Sequence, residues 1–169
     1  MAVADLLVDA FNRVHDAVHG AAEGLSSDEL LLRVDRAANP IGWLVWHLTR
    51  VEDDHIAGVA GTDQVWLTDG WAKRFALPYD DEAHGYGQSS DEVAAFRVGS
   101  ADLLLGYHDA VHQQTIRYVQ SLTDADLERV VDKRWDPPVT VGVRLVSVIA
   151  DALQHVGQAA YVRGIARRD

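Results

Sequence analysis

Four long stretches of this chain repeat their apolar residues every three or four positions, the period that lays a stripe along one side of an α-helix. The valines follow the same helical spacing instead of the alternation that marks strands. A first helix is predicted over roughly 2–20, with Val3, Leu7, Ala10, Val14 and Ala17 on one face and Gly20 at its end. Asp5, Asp9, Asn12 and Asp16 occupy another face. A second helix runs over about 40–60: Asn39 is a favoured N-cap, and Pro40 suits the first helical position, where its missing N–H is no loss. Ile41, Leu44, Leu48 and Val51 give its stripe, and Gly58 and Gly61 mark its end.

The third helix covers about 99–121, with Leu104, Tyr107, Val111, Thr115 and Tyr118 aligned. Thr140 caps a fourth that reaches about 166, with Val141, Leu145, Val148, Ala152, His155 and Ala159 facing inward. Short helical turns are expected at Ser27–Leu30 and at Ser90–Glu92. The connections at 21–38 and 122–139 are short, the latter broken at Ser121–Asp124 and at Asp136-Pro137-Pro138. The segment 61–90, rich in Gly, Asp, Ser and Trp, reads as a long crossover loop, and loops of that length in a small domain are usually functional or poorly ordered. These features predict an all-α fold, an antiparallel four-helix bundle with a long crossover between its second and third helices, forming one domain over 1–169.

Charge narrows the partners. With 26 acidic and 15 basic residues the net charge is −11, which repels phosphate backbones, so no nucleic-acid partner is expected. Arg163, Arg167 and Arg168 cluster near the end of the last helix, where the macrodipole favours cations. Asp5 and Asp9 interrupt the opening segment where a signal peptide needs an apolar run, and no stretch approaches the roughly 18 apolar residues of a membrane span. The expectation is a cytoplasmic protein with no membrane partner.

The chain has eight histidines and no cysteine, so any metal must sit on His, Asp or Glu. Three pairs are spaced i, i+4 on one helical face: His15 with His19, His108 with His112, and Asp151 with His155. Asp151 lies among Val148, Ile149, Ala150, Ala152 and Leu153, where an unpaired carboxylate is costly. A cation satisfies it, as would an edge position facing solvent or pairing with Arg144. His47 sits in the hydrophobic turn from Gly42 to Leu48, on the inward side of the second helix, as either a ligand or a hydrogen-bonded core residue. His47, Asp151 and His155 together would give three ligands and leave positions open for water or substrate.

His15 and His19 slope toward acidic residues and are read as solvated surface, as is His55 after Glu52-Asp53-Asp54. His108 faces the core, packing under the site, bonding to it or ligating. His84 belongs to the crossover, at a pocket mouth or simply exposed. Trp43 and Trp46 flank His47, while Trp66, Trp71 and Trp135 fall in connections, as packing or as an apolar wall above the metal.

The stretch from Asn39 to Leu48 followed by Glu52, and the stretch from Asp151 to Gln158 followed by Tyr161-Val162-Arg163, resemble the second-helix and fourth-helix motifs of the DinB/YfiT-like superfamily of metal-dependent enzymes. That resemblance implies a four-helix bundle whose divalent metal (Zn, Ni, Mn or Fe) is held at His47, Asp151 and His155; Asp151 stands where His or Glu is more usual. It also implies a thiol-dependent S-transferase or isomerase of the actinobacterial mycothiol type, using a metal-activated cofactor thiolate on a small-molecule electrophile. Gln158 and Arg163 would then help bind the cofactor, unless Arg163 caps a helix. A metal-dependent hydrolase and a non-enzymatic ligand-binding or stress-response bundle are the other readings. A homodimer through exposed helical faces is compatible with all of them.

Overall fold

In a computed structural model that describes residues 2–168, the four long helices are α1 (Val3–Ala22), α3 (Ile41–Ala60), α7 (Ala101–Gln120) and α9 (Val141–Ala166). They form a four-helix bundle in which α1 lies against α7 and α9, and α3 lies against the same two helices. Contacts fix the directions. The His47 ring of α3 meets the His155 ring of α9 edge to face while His55 meets Arg144, so α3 and α9 are antiparallel. Asn12 pairs with His112 and His19 with Asp109, so α1 and α7 are antiparallel too. Thr49 meets His108 and Val59 meets Tyr118, so α3 and α7 run parallel, which is what the long crossover between them permits.

The α1 stripe is rotated from the predicted one. Leu7, Phe11, Val14, Val18 and Ala21 are buried, whereas Val3 is exposed and Ala10 and Ala17 sit at the margin. Turning Phe11 and Val18 inward removes more apolar surface from water than turning two alanines inward. The helix also runs past Gly20 and stops at Ala22, before Gly24 at φ 72°. Pro40, not Asn39, occupies the N-cap position of α3, with extended backbone and no side-chain cap. Thr140 caps α9 as predicted, accepting from the Val143 N–H at 3.3 Å.

The connections hold more structure than their composition suggests. Ser26 and Glu29 form a capping box around α2 (Ser27–Leu31), and Ser89 and Glu92 form another around α6 (Ser90–Ala95). The crossover contains α4 (Val65–Thr68) and α5 (Trp71–Phe75), and Trp66, Trp71 and Phe75 are buried. Buried Asp53 organises this region: its carboxylate accepts from the N–H groups of Val65 (2.9 Å) and Trp66 (2.8 Å) and from the Tyr107 hydroxyl (2.8 Å). The last connection contains α8 (Asp124–Leu127) and a small antiparallel pair, β1 (Val130–Asp132) with β2 (Val139–Thr140). No described helix is long and apolar enough to cross a membrane.

Candidate metal centre

His47 enters the site from the second turn of α3, held between α9 and the crossover. Its Nδ1 donates to the His84 carbonyl, and its ring stacks on Trp43 with centroids 4.7 Å apart. Gly85 makes the close approach possible: at φ 92°, a Cβ there would lie 2.9 Å from His47 Nδ1 and 2.9 Å from Trp43. Trp43 Nε1 donates to Gln88 Oε1 at 2.8 Å and ties the same loop down. On α9, His155 Nδ1 lies 2.9 Å from the backbone oxygen of Asp151 and 3.3 Å from its Oδ2. The single Nδ1 proton goes to the carbonyl. Both imidazoles therefore carry their proton on Nδ1 and leave Nε2 with a free lone pair, the tautomer that a metal needs.

Asp151 Oδ2 is out of solvent and has no hydrogen-bond partner. Donor atoms of His47, Asp151 and His155 lie within 4.8 Å of one another. Two imidazole nitrogens and a carboxylate oxygen are a borderline donor set suited to divalent transition ions, and the orphaned oxygen is the atom such an ion would satisfy. Burial of Asp151 arises differently from the prediction. The apolar residues beside it in sequence are not all inward, since Val146 and Leu153 are exposed, and Asp151 is half-buried at the margin of the stripe, where Val156 rather than His155 continues the core. Arg144 is engaged elsewhere, 3.2 Å from His55 and 3.5 Å from Asp132.

The three groups differ in proton affinity. Burial pushes His47 below the ordinary imidazole range, opposed by its bond to His84. His155 is raised, first by the adjacent Asp151 carboxylate, whose Oδ2 lies 3.3 Å from its Nδ1, and also by its bond to the Asp151 backbone oxygen. Burial alone would raise Asp151, but His155 and then His47 and His55 hold it below the usual carboxylate range.

Two cavities reach this cluster. One of about 570 Å³ opens from His47 and Asp151 past His55, Arg134, Arg144 and Ser147, with the exposed rings of Tyr86 and Trp135 at its rim. The other, about 330 Å³, lies between His155, His47 and the 85–88 loop and includes Asn39. Asn39 also borders the groove that holds Gln158 and Tyr161. Arg163, grouped with Gln158 in the sequence reading, donates to the carbonyls of Ala21 (3.4 Å) and Glu23 (2.9 Å) and closes the C-terminus of α1. His55 is half-buried against Asp54 and Arg144 and lines the larger cavity, so its expected solvent position is corrected. Sequence reasoning did not find the His84 carbonyl, Gly85 or Gln88, for which the only sign is the glycine pair Gly85 and Gly87 opposite an aromatic helix turn.

The other histidines gather at a different edge. His15 and His19, expected on the solvated surface, are largely covered and converge on Asp109, while His108 is fully buried beside them and takes no part in the His47 cluster. Glu52 and Asp53, which precede His55 in the acidic run, are both buried.

The fold and donor set define a four-helix bundle with a His–Asp–His cluster, fit for a divalent ion, at the mouth of a cavity. The chain belongs to the DinB superfamily, whose profile matches residues 10–159. It is similar to a solved structure, that of a conserved protein from Enterococcus faecalis, at 32% identity and a TM-score of 0.91 over 98% of each chain. No curated protein matches it.

Proposed function

We propose that this protein binds one divalent transition ion through His47, Asp151 and His155 and uses it as a thiol-dependent S-transferase or isomerase of the mycothiol type. The observation that carries the reading is the pair of Nδ1-anchored imidazoles beside the orphaned Asp151 oxygen, with His47 and Asp151 lining a cavity of about 570 Å³. When bound, the ion would lower the pKa of a neighbouring thiol and supply a nucleophile that this cysteine-free chain lacks.

The chain's own residues do the positioning. The His84 carbonyl and the Asp151 backbone hold the two rings, and Trp43 closes one side of His47 against solvent. Tyr86 and Trp135 offer apolar surface to an electrophile at the cavity rim, while Arg134 and Arg144 face its polar portion. Asn39 lines both the inner cavity and the groove that holds Gln158, and in this reading a long polar thiol cofactor lies along these two surfaces of α9. Arg163 would reach such a cofactor only by releasing the α1 carbonyls.

Metal-loaded protein mixed with mycothiol and monochlorobimane tests this. Faster conjugation than the uncatalysed reaction, lost in His47→Ala, is expected. No acceleration with mycothiol, bacillithiol or glutathione would overturn the thiol reading, and turnover of an ester or amide without any thiol would replace it with hydrolysis.

A further inference from the structure

Across the bundle from the His47 cluster, α1 and α7 bring four imidazoles and a carboxylate together. His15 Nε2 and His19 Nε2 each lie 2.8 Å from the same oxygen, Asp109 Oδ1. The donor atoms of these three residues fall within 4.8 Å of one another. The His15 ring contacts that of His19 (centroids 4.6 Å), that of His112 (4.4 Å) and that of His108 (5.7 Å).

Two N–H groups sharing one carboxylate oxygen would account for the geometry without an ion. A second observation goes further. His108 is fully buried, and its Nε2 has no hydrogen-bond partner. Its Nδ1 meets Thr49 Oγ1 at 3.1 Å, and the Thr49 hydroxyl proton is already given to the Val45 carbonyl at 2.7 Å. Thr49 can therefore only accept, Nδ1 must carry the His108 proton, and Nε2 keeps an unsatisfied lone pair. Leaving a buried acceptor unpaired is unfavourable, and this ring stacks on that of His15, a member of the donor group.

We propose that His15, His19 and Asp109 form a second divalent transition-metal site, bridging α1 and α7, with the buried His108 ring stacked against His15. The i, i+4 pair on α1 supplies two nitrogens from a rigid element, and α7 supplies the carboxylate. Binding displaces the two Nε2 protons. Each ring then carries its proton on Nδ1, and for His15 that atom lies 3.6 Å from the carboxylate of Asp16, an ion-pair distance that favours a proton on that side. The donor set favours zinc, cobalt, nickel or copper over magnesium or calcium, which prefer all-oxygen sites. The ligands are shared with none of the His47 cluster, so this proposal stands whether or not that site binds an ion.

Cobalt(II) titration of the metal-free His47→Ala protein, followed by its visible absorption and by equilibrium dialysis, tests the proposal in isolation. One equivalent is expected to bind, and to be lost on adding either His19→Gln or Asp109→Asn. Circular dichroism in parallel verifies that each variant keeps its helices; His19 is partly exposed, so Gln is sterically mild there. No bound equivalent in His47→Ala would overturn the site, as would an equivalent that survives both further substitutions. Failure of the first site alone reads differently: wild type and His47→Ala would then bind the same single equivalent.

Discussion

His155 turns its Nδ1 proton to the backbone oxygen of Asp151, 2.9 Å away, and leaves the Oδ2 of the same residue buried with no donor. One turn of helix thus orients an imidazole and leaves an anionic oxygen beside it. Asp151→Asn keeps the shape but removes the charge. Since losing a ligand's outer partner already costs about 10–100-fold in metal affinity, losing this oxygen should cost more than about 100-fold. Calorimetric titration with zinc or nickel measures it; unchanged affinity would remove Asp151 from the site.

Gly85 should be intolerant of any side chain. In Gly85→Ala the new Cβ meets His47 Nδ1 and Trp43 at 2.9 Å, on a backbone at φ 92°. A stability loss of about 1–3 kcal/mol is expected. Metal affinity should fall by about 10–100-fold as His47 loses the His84 carbonyl. Thermal unfolding and metal titration of the same variant check both.

Proton affinities at the site should separate. In the metal-free protein His155 titrates above the ordinary imidazole range because of Asp151, and His47 titrates below it because of burial. The signs for stability are opposite. The raised group stabilises the fold below the unfolded imidazole pKa, and that contribution is lost as pH rises through its folded pKa. The depressed group's contribution is present above the unfolded value and lost as pH falls. Imidazole NMR titration of wild type and Asp151→Asn would show the His155 curve moving down in the variant while His47 stays low.

Glu52 gives a pH effect away from the site. Fully buried with the Thr115 hydroxyl donating to it at 2.6 Å, it is pushed up from 4.5 to about 7, mainly by burial. Its folded pKa is raised, so stability falls as pH rises between those values. Glu52→Gln should leave stability at low pH unchanged and add about 3 kcal/mol well above neutrality. His108, pushed down to about 3 by burial, opposes this trend by losing stability on acidification from 6.5. Denaturant unfolding across pH, with and without the Glu52 substitution, isolates the carboxyl contribution.

The four long helices were legible because their apolar periodicity survives in each segment, and Thr140 announced the start of α9 by its chemistry. Residue type and i, i+4 spacing, together with two family-like motifs, single out His47, Asp151 and His155, and the fold brings these three together. What was hidden depended on contacts distant in sequence. The crossover read as loop because nothing local shows that Asp53, at the end of an acidic-looking turn, caps the first turn of α4. The α1 histidines read as surface because their partner Asp109 lies about ninety positions away. Apolar chain neighbours do not by themselves bury Asp151, since neighbours on a helix face different directions; the half-burial of its carboxylate comes from the packing around Oδ2.

The most direct test of the His47 centre is anomalous diffraction from crystals grown with zinc or nickel. The account predicts a full-occupancy peak about 2.0–2.2 Å from His47 Nε2, His155 Nε2 and an Asp151 oxygen. A peak elsewhere with this cluster empty, or a bound ion that leaves Asp151 Oδ2 unligated, would contradict it.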